Sequence, residues 1–126
     1  MTLSHGSTVT ERVIGLAIDV HRSLGPGLLE SAYEECLCFE LKQNGISHER
    51  QVPLPIMYKE VRLDCGYRMD IVVQRDLVVE IKSIDRLLPI HDAQLLTYLR
   101  LSGCKIGLLL NFNHVVLKEA IRRLVM

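Results

Sequence analysis

The sequence predicts an α/β domain in which helices flank a mixed central sheet. Apolar residues recur at helical spacing up to residue 44, and β-forming residues dominate from residue 48 to 83. A third helical pattern then precedes a nearly all-apolar strand at 105–111. This order of elements predicts an α/β sandwich built around one sheet. No repeat or linker divides the chain, so residues 1–126 are expected to form a single domain.

The first helix is predicted from about residue 8 to 24. Thr8 and Glu11 have the Thr-x-x-Glu spacing of a capping box, and apolar residues follow at helical spacing. Gly25-Pro26-Gly27 then ends the helix, because glycine accepts a left-handed cap and proline cannot extend the helix.

The second helix is predicted from about residue 28 to 44 and ends before Gly45. One side of it carries an apolar stripe that includes Tyr33 and Leu37. Glu34 and Glu35 are assigned to its solvent-facing side. The sequence therefore predicts two packed helices before the sheet begins.

The β-rich middle is predicted to hold four strands, at about 49–58, 61–65, 67–74 and 77–83. Lys59-Glu60 forms the expected hairpin turn between the first two strands. Pro53 and Pro55 make the first strand irregular or place it at a sheet edge, since proline cannot donate to a ladder.

The C-terminal third is predicted to return to the sheet. Pro89 suits the first turn of a helix over about 89–102, which ends at Gly103. The following segment 105–111 indicates a strand covered on both faces. The tail, 114–126, fits either a closing helix or an edge strand.

Charged residues interrupt two strands that otherwise read as buried. Glu80 and Lys82 lie two residues apart on one strand and share one face, roughly 7 Å apart. Asp70 lies in the preceding strand, and a three-residue loop at 74–76 would place it directly opposite Glu80. A two-residue loop would send Asp70 to the other face of the sheet. A shared face for these carboxylates therefore requires the longer loop or a compensating bulge.

Two opposed carboxylates favour a cation between them, because they repel each other and their burial is costly. Mg²⁺ prefers oxygen ligands and keeps several waters, so Asp70, Glu80 and a backbone carbonyl would suit it. Lys82 would then stand beside the metal as a fixed positive charge.

This arrangement resembles the D…(D/E)xK core of the PD-(D/E)xK nuclease superfamily, with Met69 where the name places proline. Gln94 and Tyr98 resemble the QxxxY element of the RecB-like branch, on one face of the third helix. Segment 27–33 is similar to the GxxExxY signature of a family of small PD-(D/E)xK-like proteins, and 107–112 is similar to that family's last core strand. The resemblance covers about residues 10–123.

The resemblance implies a restriction-endonuclease-like fold and a role for six residues. Asp70 and Glu80 would be metal ligands for Mg²⁺ or Mn²⁺, and Lys82 would be the catalytic lysine. Glu30 would be the acidic residue supplied by the helical layer, near the metal. Gln94 and Tyr98 would support the site or contact the nucleic-acid backbone.

Each motif also has a structural interpretation. Glu80 and Lys82 could form a surface ion pair, and Glu30 could stabilise the start of its helix through the helix dipole. Tyr98 fits an aromatic at the core margin, with Gln94 in solvent. Tyr33 is expected to serve packing rather than chemistry.

Composition restricts the classes of function. The chain has 15 basic and 15 acidic residues and a formal net charge of zero, which argues against a general duplex-DNA binder. No apolar run is long enough to cross a bilayer and no signal-peptide pattern is present, so a cytosolic chain without membrane association is expected. A homodimer is expected if the protein acts on two strands.

Three functions remain open at this point. The first is metal-dependent hydrolysis of phosphodiester bonds in DNA or RNA. The second is a catalytically silent nuclease-fold module that binds nucleic acid or a protein partner. The third is a small-molecule enzyme built on the same carboxylates, although no glycine loop for cradling nucleotides is present.

Overall fold

The computed structural model describes residues 5–126, with side chains described from residue 9 onward. Its helices are α1 (His5–Leu24), α2 (Glu30–Gln43) and α3 (Pro89–Ser102). Its strands are β1 (His48–Pro53), β2 (Ile56–Tyr58), β3 (Val61–Leu63), β4 (Arg68–Val73), β5 (Leu77–Lys82), β6 (Ile106–Asn111) and β7 (Ile121–Val125). Within this range, no helix combines the length and apolar character needed to span a bilayer.

The central sheet is mixed and has five strands in the order β1-β4-β5-β6-β7. Strands β5 and β6 are parallel, and every other neighbouring pair is antiparallel. Helix α3 makes the crossover between the parallel strands, as such a connection requires. Strands β2 and β3 form a separate two-stranded hairpin. The architecture confirms the predicted α/β class with a mixed sheet flanked by helices.

The sheet has an apolar core on each face. On one face, α1 and α2 pack against residues that include Ile71, Val79 and Phe112. On the other face, Leu95 and Leu99 of α3 pack on a second set of strand side chains. The six-residue β6 is buried over five of its positions, which confirms the prediction of a strand covered on both faces.

The prediction of one strand over 49–58 was wrong. The chain forms β1 and β2 with a break between them, because Pro55 has no N–H to donate to a ladder. The N–H of Leu54 donates to the carbonyl of Tyr67, one position beyond the last pair of β1 and β4, and the pairing ends there. The predicted turn at Lys59-Glu60 is confirmed, and both residues have positive φ, 48° and 68°. A two-residue hairpin of this kind matches the twist of its strands.

Helix starts also differ from the predictions. Helix α1 begins at His5, three residues before the predicted start, and the proposed capping role of the Thr8 side chain falls outside the described side chains. Helix α2 begins at Glu30 because Leu29 is extended, with φ −70° and ψ 153°. In the ambiguous tail, a short 3-10 turn at Leu117–Ala120 leads into β7, so the edge-strand alternative is confirmed.

Candidate active site

The register of β4 and β5 places Asp70 opposite Glu80. Val73 pairs with Leu77 and Ile71 with Val79, so the three-residue loop at 74–76 is confirmed. Continued by one position, the same register sets Asp70 across from Glu80, on one face of the sheet. Two of the loop residues, Gln74 and Arg75, have positive φ, which lets the chain reverse in so short a connection.

Side chains connect the two strands at this position. The N–H of Asp70 donates to Oε2 of Glu80 at 2.9 Å. The N–H of Ile81 donates to Oδ2 of Asp70 at 2.8 Å. Both carboxylates are thereby held by the backbone of the opposite strand, and their orientation is fixed in the folded chain.

The fold raises the pKa of both carboxyl groups above their ordinary values. Burial raises the pKa of Glu80 from 4.5 to about 8, and the neighbouring Asp70 charge adds to this effect. Burial also raises the pKa of Asp70, against the hydrogen bond from Ile81 that lowers it. The charge of Lys82 lowers the pKa of both carboxyl groups, by less than burial raises them. The site therefore has a deficit of positive charge.

Lys82 ends β5 next to these carboxylates. It shares the strand face of Glu80, because the two residues are separated by one position. It is partly exposed and pairs in register with Asn111 of β6. Among the described residues it forms no ion pair, so the interpretation of Glu80 and Lys82 as a surface ion pair is wrong.

Glu30 is joined to the end of β5. Its Oε2 accepts a hydrogen bond from the N–H of Ser83 at 3.1 Å, and the Ser83 hydroxyl donates to the carbonyl of Leu28 at 2.6 Å. These contacts bring the start of α2 to the strand end that Lys82 forms. Glu30 is exposed to solvent, but its carboxylate also contacts the residue that follows β5.

Tyr33 holds the loop that precedes Glu30. Its hydroxyl donates to the carbonyl of Gly25 at 2.6 Å and accepts from the N–H of Leu28 at 3.0 Å. Its buried ring stacks on Phe112, with 4.4 Å between centroids. Gly27 in the same loop has φ +96°, which favours glycine. The prediction that Tyr33 serves packing is confirmed.

Gln94 and Tyr98 lie together on α3. The amide of Gln94 donates to the Tyr98 hydroxyl at 3.2 Å. Tyr98 is buried at the edge of the α3 core, and Gln94 is exposed. Burial raises the pKa of Tyr98, and the charges of Glu80 and Asp70 raise it further. The tyrosine thus lies on the same side of the sheet as the carboxylates and within their electrostatic reach.

Two further residues were missed by sequence reasoning. The assignment of Glu34 to a solvent-facing side was wrong, since it is 7% exposed and forms an ion pair at 3.0 Å with Arg50, whose side chain is partly exposed. The amide of Gln51 donates to Glu34 at 3.0 Å and to Oδ1 of Asp70 at 3.4 Å. One signal was available for Glu34, because it lies four residues after Glu30 and so on the same helical face.

Gln51 completes a row of three residues across three strands. The register of β1 and β4 sets it opposite Asp70, which is in turn opposite Glu80. Its φ of +50° is unusual for a residue with a side chain, and no local sequence pattern indicates it. Backbone strain of this kind is concentrated at functional sites.

The donor set fits a hard divalent cation. Asp70 and Glu80 offer carboxylate oxygens from adjacent strands, and their raised pKa values mean that a nearby positive charge would stabilise the ionised forms. No group of three or more His, Cys, Asp or Glu side chains with metal-binding geometry occurs among residues 9–126. A cation held here would take two carboxylates and complete its shell with backbone oxygen and water, as Mg²⁺ commonly does.

Comparison with known proteins agrees with this geometry. No curated protein and no solved structure matches the chain significantly. A family model described as the PD-(D/E)XK nuclease superfamily matches residues 7–124, which include both helical layers and the sheet. Nucleases of that superfamily generally use divalent metal ions. The chain belongs to the PD-(D/E)XK nuclease superfamily.

Proposed function

We propose that this protein hydrolyses phosphodiester bonds of DNA or RNA with the help of Mg²⁺ or Mn²⁺. One observation carries the proposal: Asp70 and Glu80 face each other from adjacent strands, with Lys82 further along the same face. A surface role does not explain a carboxyl group as buried as Glu80, at 6% exposure.

Each residue of the site has a role in catalysis that follows from its charge and position. Asp70 and Glu80 would hold the cation, which when bound supplies Lewis-acid polarisation of the phosphate oxygens. Lys82 provides the positive charge that stabilises the phosphate as its negative charge grows, and it orients the attacking water. Glu30, at the start of α2, is hydrogen-bonded to the residue that follows β5 and supports the same site.

Gln94 and Tyr98 act as supporting residues. Their mutual hydrogen bond fixes a hydroxyl on the α3 side of the carboxylates. A substrate strand that passes over the sheet would meet this hydroxyl and the exposed amide of Gln94. We assign them to positioning of the nucleic-acid backbone.

The activity is tested by a cleavage assay with labelled single- and double-stranded DNA and RNA. We expect cleavage with Mg²⁺ or Mn²⁺ and its loss when EDTA is added. Lys82→Ala should reduce the rate at least about 100-fold, the usual effect of losing a charge-stabilising group. Lys118→Ala is the matched control, because Lys118 is exposed in the 3-10 turn away from the carboxylates. Full cleavage by folded Lys82→Ala would exclude the mechanism.

The GxxExxY branch is the finer assignment that we propose. Each position that names the branch has a structural role in this chain. Gly27 takes a positive φ, Glu30 binds the Ser83 N–H, and Tyr33 fixes the loop from both sides. Loss of any one is expected to displace the start of α2 from the end of β5. A crystal structure of Tyr33→Phe with an unmoved Glu30 would remove this support.

A catalytically silent module is the second candidate. The formal net charge of zero favours it, since nucleic-acid binding draws on basic residues. Calorimetric titration with MgCl₂ separates the two. Binding that disappears in Asp70→Asn supports the enzyme, whereas no binding at millimolar Mg²⁺ supports the module.

A further inference from the structure

A cavity adjoins the carboxylate site on the α3 side. It has a volume of about 450 Å³, within the usual size range of small-molecule sites. Its lining comes from three parts of the chain: β2, the segment before β4, and α3. The residues are Ile56, Cys65, Tyr67, Gln94, Thr97, Tyr98 and Leu101. Tyr98 lines this cavity and lies within electrostatic reach of Glu80 and Asp70, so the cavity lies beside the candidate active site.

The lining carries no formal charge. Ile56 and Leu101 supply apolar walls, and hydroxyl, amide and thiol groups supply the polar atoms. A phosphate group needs cationic partners, and this cavity contains neither lysine nor arginine among the residues that the structure describes. The chemistry suits an uncharged ligand with an apolar face and a polar edge.

Two aromatic rings define one side of the cavity. Tyr67 and Tyr98 meet edge to face, with 6.5 Å between centroids and 65° between ring planes. Tyr98 is buried, but Tyr67 is 47% exposed, so part of its ring is open to a ligand. Proteins that bind single strands use partly exposed aromatic rings as surfaces on which unpaired bases stack.

The position of Tyr67 links this surface to the site. Tyr67 precedes Asp70 by three residues, and its carbonyl accepts from the N–H of Leu54, which fixes the backbone there. A nucleotide whose phosphate lies at the carboxylates would thus have its base beside Tyr67. A base within a continuous duplex is stacked on its neighbours and cannot enter such a cavity.

We propose that the cavity binds one unpaired nucleobase next to the scissile phosphate, so that the substrate is single-stranded or carries an unpaired nucleotide at the cleaved position. This inference rests on the proposed nuclease function for the identity of its substrate. It adds a base-binding subsite formed by Tyr67, Thr97 and Leu101, together with the two residues shared with the catalytic site.

The experiment has a binding arm and a cleavage arm. The binding arm measures fluorescence anisotropy of a labelled single-stranded oligonucleotide with full-length Lys82→Ala protein, and with the same protein carrying Tyr67→Ala or Tyr67→Phe. We expect Tyr67→Ala to weaken binding about 10-fold, within the range attributed to stacking of one base, and Tyr67→Phe to retain it. Tyr58→Ala is the control, because Tyr58 is similarly exposed, at 59%, but does not line the cavity.

The cleavage arm uses the wild-type chain on three kinds of substrate that share one sequence. These are a single strand, its blunt duplex, and a series of single strands that each carry one abasic position at a different place. We expect the single strand to be cleaved at least about 10-fold faster than the duplex, because the duplex must first release a base. We also expect cleavage beside the abasic position to slow by a similar factor. This comparison needs no variant, so it tests the cavity even if Tyr67→Ala does not fold.

The outcomes separate the two proposals. Oligonucleotide binding that depends on Tyr67, without cleavage, supports the base subsite and counts against the nuclease. Cleavage that ignores both the abasic position and Tyr67 supports the nuclease and overturns the base subsite. If oligonucleotide binding is absent, or if it does not depend on Tyr67, the base subsite is also overturned.

Discussion

Asp70 and Glu80 are each hydrogen-bonded to the other's strand. Oε2 of Glu80 accepts from the N–H of Asp70, and Oδ2 of Asp70 accepts from the N–H of Ile81. The backbone pairing of β4 with β5 runs only from Val73–Leu77 to Ile71–Val79, so the two side chains extend the contact between the strands by one further step. The carboxylates of the candidate site therefore also contribute hydrogen bonds to the pairing of β4 with β5.

The burial of Glu80 predicts a loss of stability at alkaline pH. The unfolded chain releases this proton at its ordinary pKa of 4.5, and the folded chain at a pKa of about 8. The folded state holds more protons in this window, so the free energy of unfolding falls as pH rises from 4.5 to about 8. In metal-free buffer at a pH of about 8.5, Glu80→Gln should melt about 4 °C or more above the wild type, since its amide carries no charge.

Thermal melts from about pH 5 to about pH 8.5 measure this difference. The curve for Glu80→Gln should be flatter than that of the wild type. Glu11→Gln is the matched control, because Glu11 is exposed on α1 and its replacement should leave the pH dependence unchanged. Parallel curves for Glu80→Gln and the wild type would contradict the assigned burial.

Divalent metal should stabilise the folded chain through Asp70. A cation that binds only the folded state raises its stability by about 2.7 kcal/mol at roughly 100 times its Kd. We expect MgCl₂ at a pH of about 8 to raise the Tm of the wild type and to leave that of Asp70→Asn unchanged. NaCl of equal ionic strength controls for screening, and Asp19→Asn, an exposed carboxylate on α1, controls for loss of charge. Equal shifts in Asp70→Asn and the wild type would place the cation elsewhere.

Glu34 and Glu35 bind the same arginine but should differ in their contribution to stability. The Glu34 side chain is 9% exposed and that of Glu35 is 68% exposed. Glu34→Ala removes the buried carboxylate that accepts from Arg50 and Gln51 and should cost about 1–3 kcal/mol. Glu35→Ala removes only an exposed ion pair and should cost less than about 1 kcal/mol. Urea unfolding of both variants compares them, and similar losses would contradict the role of burial.

Removal of the Tyr33 hydroxyl should loosen the connection between α2 and β5. Tyr33→Phe loses two hydrogen bonds to the loop at 25–28 and should cost about 1–2 kcal/mol. Amide hydrogen exchange at Ser83, whose N–H donates to Glu30, should become faster. Tyr58→Phe, on an exposed ring, should change neither quantity. Unaltered exchange at Ser83 in Tyr33→Phe would show that the loop does not hold Glu30.

Much of the site was predictable because strand spacing and loop length are encoded locally. The two-residue separation of Glu80 and Lys82 fixes a common face, and a three-residue loop fixes the partner of Glu80. The spacing of Glu30 and Glu34 indicates a shared helical face, but it does not indicate the burial of Glu34, which depends on contacts with Arg50 of β1. The positive φ of Gln51 could not be predicted from the sequence either, because tertiary structure rather than a local pattern imposes it.

The parallel pairing of β5 with β6 bears on when the site forms during synthesis. Glu80 and Lys82 lie opposite Leu109 and Asn111, which are 29 residues further along the chain. Contacts across such a separation form late, because the intervening loop must close first. A nascent chain that has not yet exposed β6 lacks the strand that supports these two side chains from one side. The catalytic arrangement is therefore expected only after residues 106–111 have left the ribosome and can pair with β5.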